Sequence, residues 1–249
     1  MSTITSTTST TTGLGTNRVA DALPAEALQK LLAWTSPAFP VGAFSYSHGL
    51  EWAVEDGTVT DAAALEAWLG DILRHGAGRN DAILFAAAYR AIAGDDMAAF
   101  VAAAELAAAF QPSKERALEA TAQGRAFLSA VVAAWPQPKL TAAAESFGEM
   151  PVTYPVAIAG AAAAHAIPLA PALTAMLSAF VANLVSAGVR AIPIGQSDGQ
   201  RVIAALGPAI GAVADAARAA TLDDLGGAAL RADIASMRHE TQYTRLFRS

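Results

Sequence analysis

Alanine occupies 64 of the 249 positions, and this fraction limits the folds that the chain can adopt. Alanine is the strongest helix former and one of the weakest strand formers, so the composition predicts an all-α protein. Small side chains let helix axes approach closely, but each buried alanine contributes little transfer free energy. We therefore expect a compact antiparallel helical bundle of roughly ten helices, whose core depends on many close contacts.

Composition and charge exclude several functional classes. The chain has no cysteine, which removes disulfide scaffolds, thiolate nucleophiles and iron–sulfur clusters. Hydrophobic residues make up 54% of the sequence and charged residues 15%, a balance typical of a folded protein. The formal net charge of −6 at pH 7 argues against nucleic-acid binding, because a polyanion is attracted by a positive field.

The N-terminal segment differs from the rest of the chain. Residues 1–16 contain eleven serines and threonines and no acid, too few apolar groups to offset the entropy of ordering. We predict a flexible Ser/Thr-rich tail over residues 1–22, with a transit peptide as the alternative, and a single helical domain over residues 23–249. The N-terminus shows no secretory signal pattern, so we expect a cytoplasmic protein.

Apolar residues at three- and four-residue spacing, preceded by capping residues, predict the helices of this domain. We expect helices to begin at Pro24, Thr60, Asn80 or Asp81, Asp95 or Asp96, and Ser113. The uncharged stretch 150–189 is long enough to cross a bilayer, but its prolines divide it into pieces shorter than the roughly 20 residues required. We interpret it as two buried central helices, over residues 154–166 and 171–186.

The usual signatures of catalysis are weak. Neither glycine-rich segment, residues 13–15 and 195–199, is followed by the lysine and hydroxyl of a P-loop, so we expect no nucleotide hydrolysis. Ser47 lacks the preceding glycine of a nucleophile elbow, and we interpret it as the cap of a helix over residues 48–56.

A metal site is a second weak signal. His48, Glu51 and Glu55 have the spacing of one helical face, which leaves a weak metal site as the alternative to a solvated surface. We expect no stably bound cofactor.

Residues 36–52 are unlike their alanine-rich surroundings. Prolines and a glycine interrupt the backbone, so a rigid loop should present three aromatic side chains, Phe39, Phe44 and Tyr46. The alternative is that this loop closes the end of the bundle.

The C-terminal residues carry two apolar sets on different helical faces. The first is Leu230, Ile234 and Met237, and the second is Tyr243, Leu246 and Phe247. Three arginines recur every seven residues on a third face: Arg231, Arg238 and Arg245. One core cannot cover both apolar sets, so we predict that the last set binds a partner.

Three segments together resemble the urease accessory protein F family. They are SPAFPVGAFSYSHGLEW at residues 36–52, GVRAIPIGQSDGQ at 188–200 and SMRHETQYTRLFRS at 236–249. The resemblance extends over about residues 24–249. The resemblance implies an all-helical, non-enzymatic assembly factor that forms a homodimer. It also implies that this factor joins the D-type (or H-type) accessory protein and the GTPase accessory protein G, a complex that helps place nickel into apo-urease.

The resemblance also suggests where partners bind. We expect nickel and GTP to be handled by the partners, and the binding residues to be Phe44, Tyr46, His48, Glu51, Arg190, Gln196, Asp198, Gln200, Arg238, Tyr243, Arg245 and Phe247. The D-type partner would order the C-terminal tail, so that Arg245 bonds to backbone carbonyls around Tyr46. The residues from Arg190 to Gln200 would face the GTPase.

Two other classes stay open. A helical module for a small apolar ligand would have a closed cavity, and an enzyme would have a pocket around Ser47 and His48.

Overall fold

The computed structural model describes residues 23–248, which form eleven α-helices and two short 3₁₀ helices and contain no strand. The prediction of an all-α fold is confirmed. The predicted flexible segment 1–22 and Ser249 lie outside the described residues. The helices are α1 (Ala25–Trp34), α2 (Leu50–Glu55), α3 (Ala62–His75), α4 (Ala77–Ala93), α5 (Met97–Ala109), α6 (Lys114–Ala134), α7 (Pro138–Phe147), α8 (Tyr154–Ala164), α9 (Leu169–Ala191), α10 (Gln196–Ala219) and α11 (Leu230–His239).

Local capping explains where several helices begin. The Asp96 carboxylate accepts a hydrogen bond from the Ala99 N–H at 2.9 Å, and the Ser113 hydroxyl accepts one from the Arg116 N–H at 3.1 Å. Both residues were among the predicted starts. Asp61, rather than Thr60, caps α3, because its carboxylate reaches the Ala64 N–H at 2.9 Å.

Helix α4 begins earlier than expected. It starts at Ala77, three residues before Asn80 and directly after Gly76. Asn80 does not cap the helix, because its side-chain oxygen accepts a hydrogen bond from the distant Gly226 N–H at 3.2 Å. A tertiary contact therefore uses the side chain that the sequence marked as a helix start.

Helix α8 lies at the centre of the core. Its residues 155–162 are all buried, since the helix is apolar around its whole circumference and packs against α4, α6 and α9. Small residues permit this packing. At Gly124 in α6, a β-carbon would lie 2.2 Å from the Val152 carbonyl oxygen, so glycine is needed where α6 passes the chain that enters α8.

Helices α9 and α10 are both long and apolar. Pro171 does not interrupt α9, because it lies in the first turn of that helix, where backbone N–H groups need no intrahelical acceptor. The prediction of pieces shorter than about 20 residues was therefore wrong: α9 has 23 residues.

Both helices pass the length and composition test for a membrane span, with mean hydropathy 1.8 and 1.4. In the fold they pack against each other and against α3 and α4, as the core helices of a bundle do.

Candidate partner-binding surface

The loop over residues 36–52 presents only one of its three aromatic side chains. Phe44, in the 3₁₀ helix Ala43–Ser45, is 68% exposed. Tyr46 is buried, and the Phe39 ring packs 5.3 Å from the ring of Phe127. The loop thus closes the end of the bundle through two aromatics and exposes the third.

The segment before α2 does not form the predicted helical face. Helix α2 begins at Leu50, so His48 precedes it, in the left-handed region with a φ of 58°. The buried imidazole lies edge-on to Phe180, with 5.2 Å between ring centroids, and its Nδ1 is 3.9 Å from Glu119 Oε1. His48 therefore does not lie on the helix that carries Glu51 and Glu55, and the part of the chain that the structure describes contains no cluster of three or more His, Asp or Glu side chains suited to a metal ion.

Buried charges lie behind this loop. Arg116 and Glu119 form an ion pair inside the fold. Burial disfavours the ionised Glu119 carboxylate, but attraction to Arg116 and hydrogen bonding outweigh burial and hold its pKa at about 2. Burial, aided by the Arg116 charge, lowers the pKa of His48 to about 4, so the imidazole is neutral at pH 7.

Glu51 of α2 attaches the C-terminal tail, residues 240–248, to the bundle. Its Oε1 accepts a hydrogen bond from the Leu246 N–H at 2.5 Å, and its Oε2 accepts one from the Phe247 N–H at 3.0 Å. Oε2 is also 2.9 Å from Nε2 of His239. One carboxylate thus satisfies two backbone donors of the tail and contacts the end of α11, and Glu55 adds a contact to the Gln242 side chain.

A second carboxylate extends this network to α6. Glu115 Oε2 lies 2.6 Å from Nδ1 of the buried His239, and its Oε1 accepts a hydrogen bond from Nη1 of Arg245 at 2.8 Å. Arg245 is therefore paired with an acid in the free chain, and its bonds to the carbonyls around Tyr46, expected once the D-type partner binds, stay a prediction. The pairing of Glu115 with His239 could not be found from the sequence, because the two residues are 124 positions apart and no local pattern connects them.

Other groups bind those loop carbonyls. The Arg248 N–H donates to the Ser45 oxygen at 2.8 Å, and Nη1 of Arg190 donates to the Phe44 oxygen at 2.7 Å. The same guanidinium lies over the ring of Phe247, 4.5 Å from its centroid. Arg190 therefore connects the loop, the end of α9 and the tail, and it brings the three distinctive segments of the sequence together.

The two apolar sets of the C-terminus are placed differently from the prediction. Phe247 is only 4% exposed and faces the bundle, whereas Tyr243 and Leu246 are exposed. The earlier stripe is also exposed along α11, at Leu230, Ile234 and Met237. Small or polar residues form the buried face instead: Ala232, Ala235, Ser236 and His239.

The three arginines at seven-residue spacing do not share a helical face. Helix α11 ends at His239, so Arg245 lies beyond it in the tail. Arg238 is exposed on the helix, and Arg231 reaches the Thr58 hydroxyl at 3.3 Å.

The polar residues at the start of α10 have separate roles. The Asp198 carboxylate accepts a hydrogen bond from the Gly195 N–H at 2.9 Å and pairs with Arg201, and these contacts hold its pKa below the usual range. Asp198 therefore stabilises the helix start. Gln196 and Gln200 are exposed on the first turns of the helix.

A cavity of about 190 Å³ lies behind Phe44, and Asp81 and Glu119 are among the residues that line it, together with apolar and aromatic side chains.

Comparison with known proteins places this chain in a family. The UreF family model matches residues 59–207. A urease accessory protein UreF of Rhodopseudomonas palustris strain BisB5 is 57% identical over 222 residues, which cover 89% of this chain and 91% of that protein. UreF of Methylobacterium radiotolerans is 54% identical over 228 residues, covering 91% of this chain and 99% of the relative.

UreF of Bradyrhizobium diazoefficiens is 53% identical over 225 residues, which cover 90% of this chain and 93% of the relative. These relatives align along almost their entire length, and all are named as urease accessory proteins. The chain belongs to the UreF family of urease accessory proteins.

Proposed function

We propose that this chain is a non-enzymatic assembly factor that bridges a D-type (or H-type) accessory protein and the G-type GTPase, and so couples GTP hydrolysis to nickel insertion into apo-urease. The observation that carries the proposal is the convergence at Arg190, which contacts the loop through the Phe44 carbonyl and the tail through the Phe247 ring. A single ordered surface built from three separate segments suits the binding of proteins.

The tail provides the surface for the D-type partner. Its backbone is attached through Glu51, and the side chains of Tyr243 and Leu246 extend into solvent. Aromatic and aliphatic groups on an already ordered backbone bind with a small loss of conformational entropy. The D-type partner therefore covers the outer side of the tail, together with Phe44 and the exposed Arg238.

The start of α10 provides the surface for the GTPase. Gln196 and Gln200 are exposed there, and Arg190, at the end of the preceding helix, connects this region to the loop. Binding of one partner at the tail is thereby coupled to the surface that the other partner meets.

The partners supply the chemistry, and this chain supplies surfaces. Ser47 and His48, the pair that an enzyme would use, are both buried, and the His48 ring packs against Phe180. GTP and nickel are accordingly handled by the partners, with no cofactor held stably by this chain. The assembly factor acts in the cytoplasm as a homodimer.

Co-purification with the two accessory proteins tests the proposal. Tyr243→Ala should abolish retention of the D-type partner, and the Gln196→Ala/Gln200→Ala double variant should abolish retention of the GTPase. Phe110→Ala is the matched control, because Phe110 is an exposed aromatic at the end of α5, 37% accessible. Unchanged retention of both partners by all variants would refute the assignment of these surfaces.

The homodimer and the biological role need separate measurements. Light scattering of the purified chain should give twice the monomer mass. Cells that lack the chain should contain urease with little nickel, and fully nickel-loaded urease in such cells would refute the function.

A further inference from the structure

The cavity behind Phe44 has aromatic walls and an acidic side. Four aromatic side chains contribute to its lining: Trp34, Phe44, Tyr154 and Phe180. Its volume of about 190 Å³ exceeds the space that a single water molecule needs. It is therefore large enough for a small organic ligand.

Asp81 of α4 contributes a carboxylate without a donor. Within residues 23–248 no hydrogen bond to this carboxylate is present, and the charged groups that act on it are Arg116 and Glu119. Burial raises the pKa of Asp81 to about 6, so the ionised form predominates at pH 7.5 although the surroundings disfavour it. Asp81 is partly accessible, and desolvation by the surrounding fold disfavours its ionised carboxylate, so a cation bound beside it would be stabilising.

Asp81 and Glu119 are the two acids among the residues that line the cavity. Glu119 is ionised and is paired with Arg116, so those two groups cancel. His48, which also contacts Glu119, is neutral at pH 7 because burial lowers its pKa to about 4. Asp81 forms no ion pair within residues 23–248, so it is the acid of this lining with which a bound monovalent cation would pair.

We propose that this cavity binds a compact organic monocation, an alkylammonium or guanidinium group, with its charge at the Asp81 carboxylate and its carbon atoms against the aromatic walls. Aromatic faces attract organic cations, whereas they do not replace the oxygen ligands that a metal ion requires. The inference goes beyond the proposed function, because it assigns a ligand to a part of the chain that the partner-binding surface touches only at Phe44.

The cation has two possible sources, a free amine or the end of a lysine or arginine side chain from a docked protein. The mouth of the cavity lies beside Phe44, which is itself exposed. The two sources share one chemistry, and a peptide that competes with a free amine distinguishes them.

Ligand-observed NMR with propylammonium chloride tests the proposal on the full-length chain at pH 7.5. Propylammonium should bind saturably, and butan-1-ol, a neutral and more apolar molecule that is one carbon longer, should not. Asp81→Asn should weaken propylammonium binding by about tenfold or more, because the charged acceptor is lost. Asp71→Asn, which removes an exposed carboxylate from α3, should bind as the unaltered chain does.

The measurements distinguish the two sources of the cation and include results that would overturn the proposal. Displacement of propylammonium by acetyl-Gly-Lys-Gly-amide would identify a side chain as the source, and a failure of the peptide to compete would identify a free amine. Equal binding of butan-1-ol, undiminished binding by Asp81→Asn, or tighter binding of Ni²⁺ or Mg²⁺ at the same site would each overturn the proposal. The comparison of propylammonium with butan-1-ol uses the unaltered protein, so the test remains valid even if a variant folds poorly.

Discussion

Replacement of Glu51 by glutamine should detach the C-terminal tail and leave the helices folded. The carboxylate accepts hydrogen bonds from the Leu246 and Phe247 N–H groups through its two different oxygens. A side-chain amide has one oxygen and one NH₂ group, so in either orientation its NH₂ faces a backbone donor. Glutamine therefore loses at least one charge-assisted hydrogen bond and introduces a contact between two donors.

The magnitude follows from the type of bond. A hydrogen bond to a charged acceptor contributes about 1.5–3 kcal/mol, which corresponds to a roughly 10- to 150-fold change in the equilibrium for opening the tail. The change is local, because the tail lies outside the buried helices α4 and α8. Global stability should therefore change much less than tail attachment.

Native-state hydrogen exchange measures this directly. The Leu246 and Phe247 amides should lose protection by the factor given above, and amides in α8 should keep theirs. Glu66→Gln, an exposed glutamate in α3, is the matched control and should leave the exchange of the tail unchanged. Equal protection of both tail amides in the Glu51 variant would refute the assignment of Glu51 as the residue that attaches the tail.

Three further perturbations test other parts of the structure. Arg190→Ala removes the bond to the Phe44 carbonyl and the contact with the Phe247 ring, so the exchange of the Phe247 amide should rise about tenfold; no rise would contradict the connecting role. Gly49→Ala should lower Tm by roughly 4–8 °C, because φ is 77° and a β-carbon would lie 2.6 Å from the Ser236 nitrogen. Gly42→Ala, at a similar φ of 70° but with open space around the β-carbon, should lower Tm by less. Equal decreases in Tm would show that the close approach of Gly49 to Ser236 is unimportant. Asp81→Asn should be more stable than the unaltered chain at pH 7.5 by up to about 3 kcal/mol. The reason is that the fold raises the pKa of Asp81 from the ordinary 3.8 to about 6, so the ionised carboxylate destabilises the folded state. The stability associated with protonated Asp81 is present below pH 3.8 and is lost as pH rises through about 6. The free energies of unfolding in urea of the variant and of the unaltered chain should therefore converge towards pH 4, and a difference that does not change with pH would contradict this.

Features that depend on neighbouring residues along the chain could be predicted from the sequence. The alanine content determined the helical class, and Asp96 and Ser113 cap helices as expected, because a cap needs only the next turn of backbone. The three distinctive segments were also recognisable, since each is continuous in the sequence. The order of residues along one helix or loop, however, does not reveal which of its faces packs against the rest of the protein.

Only the tertiary structure decided how these segments are used. Leu230, Ile234 and Met237 form a regular apolar stripe, yet α11 turns a face of small residues towards the bundle, because close approach to Gly49 leaves no space for larger side chains. Likewise, His239 contacts Glu51 and Glu115 because α2, α6 and α11 meet, although the three residues are far apart in the chain. Periodicity and capping act over one or two helical turns, whereas burial and charge pairing depend on which helices pack together.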